Sequence, residues 1–183
     1  MTKQDAPPHG FRRMLSVARV GDAGLVQTID VGKQDRERIA QYLELPSIES
    51  LTAEVTLARW RGKGVKVTGT FKADVTQACV VTLDPLTAHV EAAFERRFTP
   101  QDDQHANETP QEIFVDPQGD DPPEPLPRDI DLGEILVEEL SLNLDPYPRK
   151  PGVELQSAGE TTPPRQSPFA VLAKLKPKPT RTD

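Results

Sequence analysis

The sequence predicts an α+β fold. A curled antiparallel β-sheet, rolled into a half-open barrel, carries one short helix in the N-terminal half and a C-terminal helix packed on the sheet. Three observations predict it. Strict apolar/polar alternation runs through "GVKVTGTFKADVTQAC" (64–79), which places side chains on opposite sides of a strand with one face packed and one wet. The same alternation recurs on both sides of that segment. Finally, residues 131–144 repeat apolar side chains at helical spacing.

Taken in chain order, "RMLSVARV" (13–20) and "LVQTIDV" (25–31) read as two strands around the turn Gly21-Asp22-Ala23-Gly24. "DRERIAQYLEL" spaces Ile39, Tyr42 and Leu43 helically and stops at Pro46. "LTAEVTLARW" sets Leu51, Ala53, Val55 and Leu57 on one side. In 64–79, Val65, Val67, Phe71, Ala73, Val75 and Cys79 share a face, and Gly69 offers a place for the strand to bend. Asp84-Pro85 is a turn dipeptide, after which Ala88, Val90, Ala92, Phe94 and Phe98 share a face. The expected sheet has about five or six strands, and curling limits its exposed edges.

Between 99 and 127 stand eight acids and no Lys or Arg, with several prolines. This interval reads as a flexible acidic loop, in which "EIFV" adds a short edge strand, because it holds too little apolar surface to offset its ordering entropy. The closing helix follows at 131–144. Asp131 and Glu134 have N-cap and N3 spacing, an acidic capping box suited to the helix dipole, and Pro146 ends the run. Leu132, Ile135, Leu136, Val137, Leu140 and Leu144 make its apolar face. Glu134, Glu138 and Ser141 share the polar gap, and Glu139 lies inside the apolar sector, where it must find a partner such as Arg59, Arg61 or Arg96. The predicted organisation is a disordered N-terminus (1–10), a single β-rich domain (11–150) and a proline-rich basic tail (151–183). Within that tail, "SPFAVLAKL" supports a short helix over 168–175 only when a domain or partner holds it.

Composition narrows the function classes. The formal charge of -7 disfavours a protein that grips phosphates over its whole surface. A single cysteine permits neither an internal disulfide nor a thiolate metal cage. "MTKQDAPPHGFRRML" has no signal-peptide core and no apolar run approaches membrane-spanning length, so a cytoplasmic location without membrane contact is expected. Glu134 and Glu138 share a helix face, but a hard-cation site needs further converging oxygens. They read as a wet face beside a cap. Cys79 has apolar parity and reads as a small buried hydrophobe. His9 and His105 fall in segments expected to be disordered, and His89 is on an outward parity, so no histidine is placed to serve as a base. No phosphate loop, nucleophile elbow or metal motif occurs. No enzyme, cofactor or metal is expected.

Cations meet aromatic groups at Tyr147-Pro148-Arg149-Lys150 and around Phe169, Lys174 and Lys176, a combination used by single-stranded nucleic-acid binders. From composition alone, a solubilising tail is the commoner meaning. Two blocks add more. "ACVVTLDPLTAHVEAAFERRFTP" (78–100) and, after the acidic spacer, "IDLGEILVEELSLNLDPYPRKPG" (130–152) resemble the YceD family of large ribosomal RNA subunit accumulation proteins. "SPFAVLAKLK" resembles its alphaproteobacterial branch. Asp-Leu-Gly-Glu, the alternating leucines 140, 142 and 144, and Pro-Tyr-Pro-Arg-Lys-Pro-Gly carry the likeness, which spans roughly residues 12–175. Many relatives have Cys-x-x-Cys at the position of Cys79 and later cysteines, a pattern suggesting zinc. Here Thr82 and the 146–152 motif stand in their places, so the resemblance implies no metal.

It implies a non-enzymatic factor for 23S rRNA accumulation and large-subunit assembly. The expected partners are large-subunit ribosomal RNA, a pre-ribosomal particle or a basic ribosomal protein. Arg149, Lys150, Tyr147, Lys174, Lys176 and Phe169 are the expected contacts. Cys79, Pro85, Asp131, Leu132, Glu138, Glu139, Leu140 and Pro148 are the structural motif. Two competitors are a protein-only adaptor or chaperone for a basic ribosomal protein and a metal-dependent nuclease using Glu134, Glu138 and loop acids.

Overall fold

The computed structural model describes residues 7–100 and 123–153. The chain divides into two units, Met1–Pro151 and Gly152–Asp183, and every element described belongs to the first. In order these are β1 (Met14–Ser16), a 3₁₀ turn (Val17–Arg19), β2 (Leu25–Asp30), α1 (Lys33–Tyr42), β3 (Ser47–Trp60), β4 (Gly64–Ala78), β5 (Pro85–Thr99), β6 (Glu124–Pro125), β7 (Asp129–Asp131) and α2 (Leu132–Asn143).

The main sheet has the order β2-β3-β4-β5-β6 and does not close into a barrel. The long central strands pair antiparallel with few interruptions, as their alternation requires: Val55 lies opposite Gly69, and Gly69 opposite Phe94. On the inner face Leu51, Ala53, Val55 and Leu57 of β3 join Val65, Val67, Phe71, Ala73 and Val75 of β4, all buried. Gly69 does not break its strand. A side chain there would meet the Phe94 ring at 2.5 Å, so the glycine leaves room for an aromatic group on the neighbouring strand. The one register shift falls instead between Ile48 and Ser50 of β3. α1 packs on β3, while α2 packs on β5 and β1. The α2 residues Leu132, Ile135, Leu136, Val137 and Leu140 are buried in the same core as Val67 and Phe71.

Several expectations need correction. The strand expected over 13–20 does not pair with β2. Only Met14–Ser16 is extended, and it pairs with β7 in a separate two-stranded sheet that opposes Leu15 to Ile130, both buried. The long-range pairing wins because it buries two aliphatic side chains and fixes the start of α2, where Arg13 N–H donates to Asp131 Oδ1 at 2.9 Å. Residues 7–10 are ordered: Pro7 and His9 are buried, and the His9 ring lies 5.4 Å from that of Tyr42. "EIFV" lies outside the described residues. Among the described residues the edge strand is β6, parallel to β5 at Phe98 and Thr99, so Glu124 and Pro125 of the expected loop are part of the sheet. Pro85 opens β5 rather than sitting within the preceding turn, a position where its missing N–H is tolerated.

Candidate partner-binding surface

Two polar joints hold the end of α2 and the segment after it. The first is at Arg96. On β5 it has the parity of Phe94 and Phe98, so its stem follows the core and its head emerges beside α2. There Nε donates to Glu139 Oε1 at 3.0 Å, Nη2 to Glu138 Oε2 at 3.0 Å and Nη1 to Glu124 Oε1 at 3.1 Å. Burial opposes the guanidinium charge, but the bonds to Glu124 and Glu139 outweigh it and raise the pKa. Of the three arginines considered for Glu139, Arg96 is the partner. Glu138 is tied down as well, which leaves less of it available for a metal. Asp131 accepts from the Gly133 and Glu134 amides, the N-cap that the spacing predicted.

The second joint fixes residues 145–150 on the turn between β4 and β5. Gln77, buried on the inner parity of β4, donates from Nε2 to Asp145 O at 2.9 Å. Val80 N–H donates to Pro148 O at 2.9 Å. Lys150 N–H donates to Cys79 Sγ at 3.5 Å, and Lys150 Nζ pairs with Asp84 Oδ2 at 3.2 Å. Cys79 in turn closes the turn, its N–H donating to Asp84 O and its carbonyl accepting from Leu83 N–H, both at 2.9 Å. Cys79 is fully buried but not a plain hydrophobe. Hydrogen bonds from the Thr82 side chain, then from the backbone of Lys150, Thr82 and Val81, hold its thiol down at a pKa of about 6.

These residues do not fit the zinc that the cysteine pairs of relatives suggest. Cys79 is the one thiol, and its turn is occupied by a backbone donor and an ion pair from residue 150. Hydrogen bonds tie the post-helix segment to the sheet here. Among the described residues, no group of three His, Cys, Asp or Glu could hold a metal ion. No helix among them is long and apolar enough to cross a membrane.

Tyr147 is 70% exposed, and Arg149 also faces solvent, both on a segment anchored on either side. Lys150 is committed to Asp84 through one of its donors. Lys174, Lys176, Phe169 and the helix expected over 168–175 lie outside the described residues, as does most of the acidic loop. Sequence reasoning missed Gln77, Asp84 and the multiple role of Arg96. The available signals were a glutamine and an arginine on otherwise apolar parities. Alongside α2 runs a cleft of about 440 Å³ lined by Arg12, Arg96, Glu124, Asp131, Glu134 and Glu138.

Fold and joints together define a helix-closed antiparallel sheet that presents an anchored, solvent-facing segment. A family model described as "Large ribosomal RNA subunit accumulation protein YceD" matches residues 67–176, more than half of the chain. The chain belongs to the YceD family. No curated protein and no solved structure matches it. The match takes in β4 from Val67 onward, β5, α2 and both sides of the Cys79–Lys150 joint.

Proposed function

We propose that this chain is a non-enzymatic ribosome biogenesis factor, acting in the cytoplasm, that supports 23S rRNA accumulation and large-subunit assembly by binding ribosomal RNA or a ribosomal protein. The family description supplies the process. The observation that carries a binding role is the anchoring of 145–150. With Gln77, Val80, Cys79 and Asp84 holding its backbone and Lys150, the exposed Tyr147 and Arg149 need little further ordering to meet a partner. Arg149 and Lys150, with Lys174 and Lys176 of the tail, contact phosphates, while Tyr147 and Phe169 offer stacking surfaces.

The test is binding of the full chain to 23S rRNA fragments across a salt series. Arg149→Ala is expected to weaken binding and to reduce the salt slope by about 0.7–0.9, one phosphate contact. Affinity indifferent to salt and to Arg149 would remove RNA contact from the proposal.

The carboxylate-rich cleft beside α2 favours a second reading, an adaptor for a basic ribosomal protein. Glu134→Lys would then weaken capture of that protein, while the full chain would bind no RNA and deleting residues 165–183 would change nothing.

A further inference from the structure

At the closed end of the β3–β4 hairpin the sequence reads "RWRGKGVK" (59–66), four cations with no acid in a chain of formal charge -7. Arg61 and Gly62 both take left-handed backbone angles, φ 42° and 77°, which turn the chain sharply and expose Arg61, Gly62 and Lys63. Trp60 has the outer parity of β3. Gly64 pairs with it, and a side chain on Gly64 would collide with the Trp60 carbonyl at 2.6 Å, so the hairpin is built for close approach there.

The next outward residues are cationic as well. Lys66 faces Arg97 across the β4–β5 ladder. The Arg61 guanidinium lies 4.6 Å from the Trp60 ring centroid and that of Arg97 5.9 Å. One carboxylate stands among them: Glu95 bonds Arg97 at 2.7 Å and Lys66 at 3.2 Å, and these bonds, Arg97 first, lower its pKa. Arg61, Lys63, Lys66 and Arg97 therefore outnumber it four to one. Beyond them the outer face opens into a shallow trough lined by small side chains, Thr56, Thr68, Thr70 and Ala93, with Glu54 and Glu95 among its walls.

We infer that this hairpin end is a binding site for single-stranded RNA, with Trp60 and Arg61 as the stacking surface and Lys63, Lys66 and Arg97 as phosphate contacts. It rests on the RNA-binding reading above but is a separate site, on the outer face of the sheet, with Trp60, Arg61, Lys63 and Lys66 ahead of the residues that the family match covers and Arg97 within them. Cations alone would suit any polyanion. An indole overlaid by a guanidinium adds a flat surface on which an unpaired base stacks, and a duplex offers no such base. The hydroxyl-lined trough gives the next nucleotides room and hydrogen-bonding partners.

The protein carries its own reporter, since Trp60 is its single tryptophan. The full chain is titrated with a uridine-rich 12-mer, with a duplex of equal length and with poly-glutamate, following both tryptophan fluorescence and anisotropy of labelled RNA. Saturable quenching by the single strand is expected. Arg61→Ala/Lys63→Ala should weaken it about tenfold at an unchanged thermal midpoint, and Trp60→Phe should bind better than Trp60→Ala.

Equal affinity for the duplex, or equal competition by poly-glutamate, overturns the inference. So does a hairpin variant that binds like the wild type. If that variant binds normally while Arg149→Ala is weakened, the hairpin site falls and the post-helix contact stands. The reverse pattern removes Arg149 and keeps the hairpin. No RNA binding by the full chain ends both.

Discussion

Arg96 is the side chain on which three elements converge. Its head joins β5 to α2 through Glu138 and Glu139 and to β6 through Glu124. Glu139 is 13% exposed, so removing its partner leaves a carboxylate with little water to replace it. Arg96→Ala should destabilise the domain by about 2 kcal/mol, read as a fall of roughly 6 °C in thermal midpoint. Adding Glu139→Gln to that variant should cost less than it does in the wild type, which a double-mutant cycle measures.

His9 gives a pH dependence. Burial, with the nearby acids opposing it, lowers its pKa below the ordinary 6.5, and its Nδ1 accepts from Phe11 N–H at 3.2 Å, which requires the neutral ring. The unfolded chain therefore binds the proton more readily than the folded one. The contribution of His9 is fully present above pH 6.5 and is lost as the pH falls below it toward the folded-state value. His9→Asn keeps an acceptor without the titration. Chemical unfolding at about pH 7.5 and pH 5 should show a smaller loss of stability in that variant. Cys79 acts in the same direction near its pKa of about 6 and remains in both proteins, so the difference between them isolates His9.

At the scale of elements, α2 was the most legible part of the chain. Its cap, its apolar face and its stop all lie within sixteen residues, and the structure shows Asp131 capping Leu132–Asn143 with Leu136 and Leu140 fully buried. Leu140→Ala should cost about 3 kcal/mol by opening a cavity against the sheet, whereas Ser141→Ala on the exposed side should change stability by less than about 0.5 kcal/mol. Denaturant unfolding checks both. β1 was not legible, because what makes Met14–Ser16 a strand is a partner at Asp129–Asp131, and local turn residues pointed to a nearer one. The Cys79 turn was read by parity alone, and parity reports burial but not a hydrogen bond arriving from residue 150.

Across the whole molecule, the parts read correctly are those whose signal is local repetition: β2, α1, β3, β4, β5 and α2. What escaped is what distant segments make together, namely the Arg96 joint, the seat of residues 145–150 and the cationic cluster where β3, β4 and β5 converge. In the sequence, Arg97 is separated from Trp60 by two strands' length, so nothing near either residue announces the other. The candidate surfaces are products of the fold in this sense, although each residue type was visible. The short β6 has a further bearing on how the molecule behaves in a crowd. Among the described residues it pairs with only Phe98 and Thr99, leaving the rest of the rim of β5 as a bare template for a second copy. Like charges guard that rim: in the antiparallel register centred on Ala93, Glu91 would meet Glu95 of the other copy. Neutralising those glutamates would invite edge-to-edge pairing of two copies of a fold that is otherwise intact.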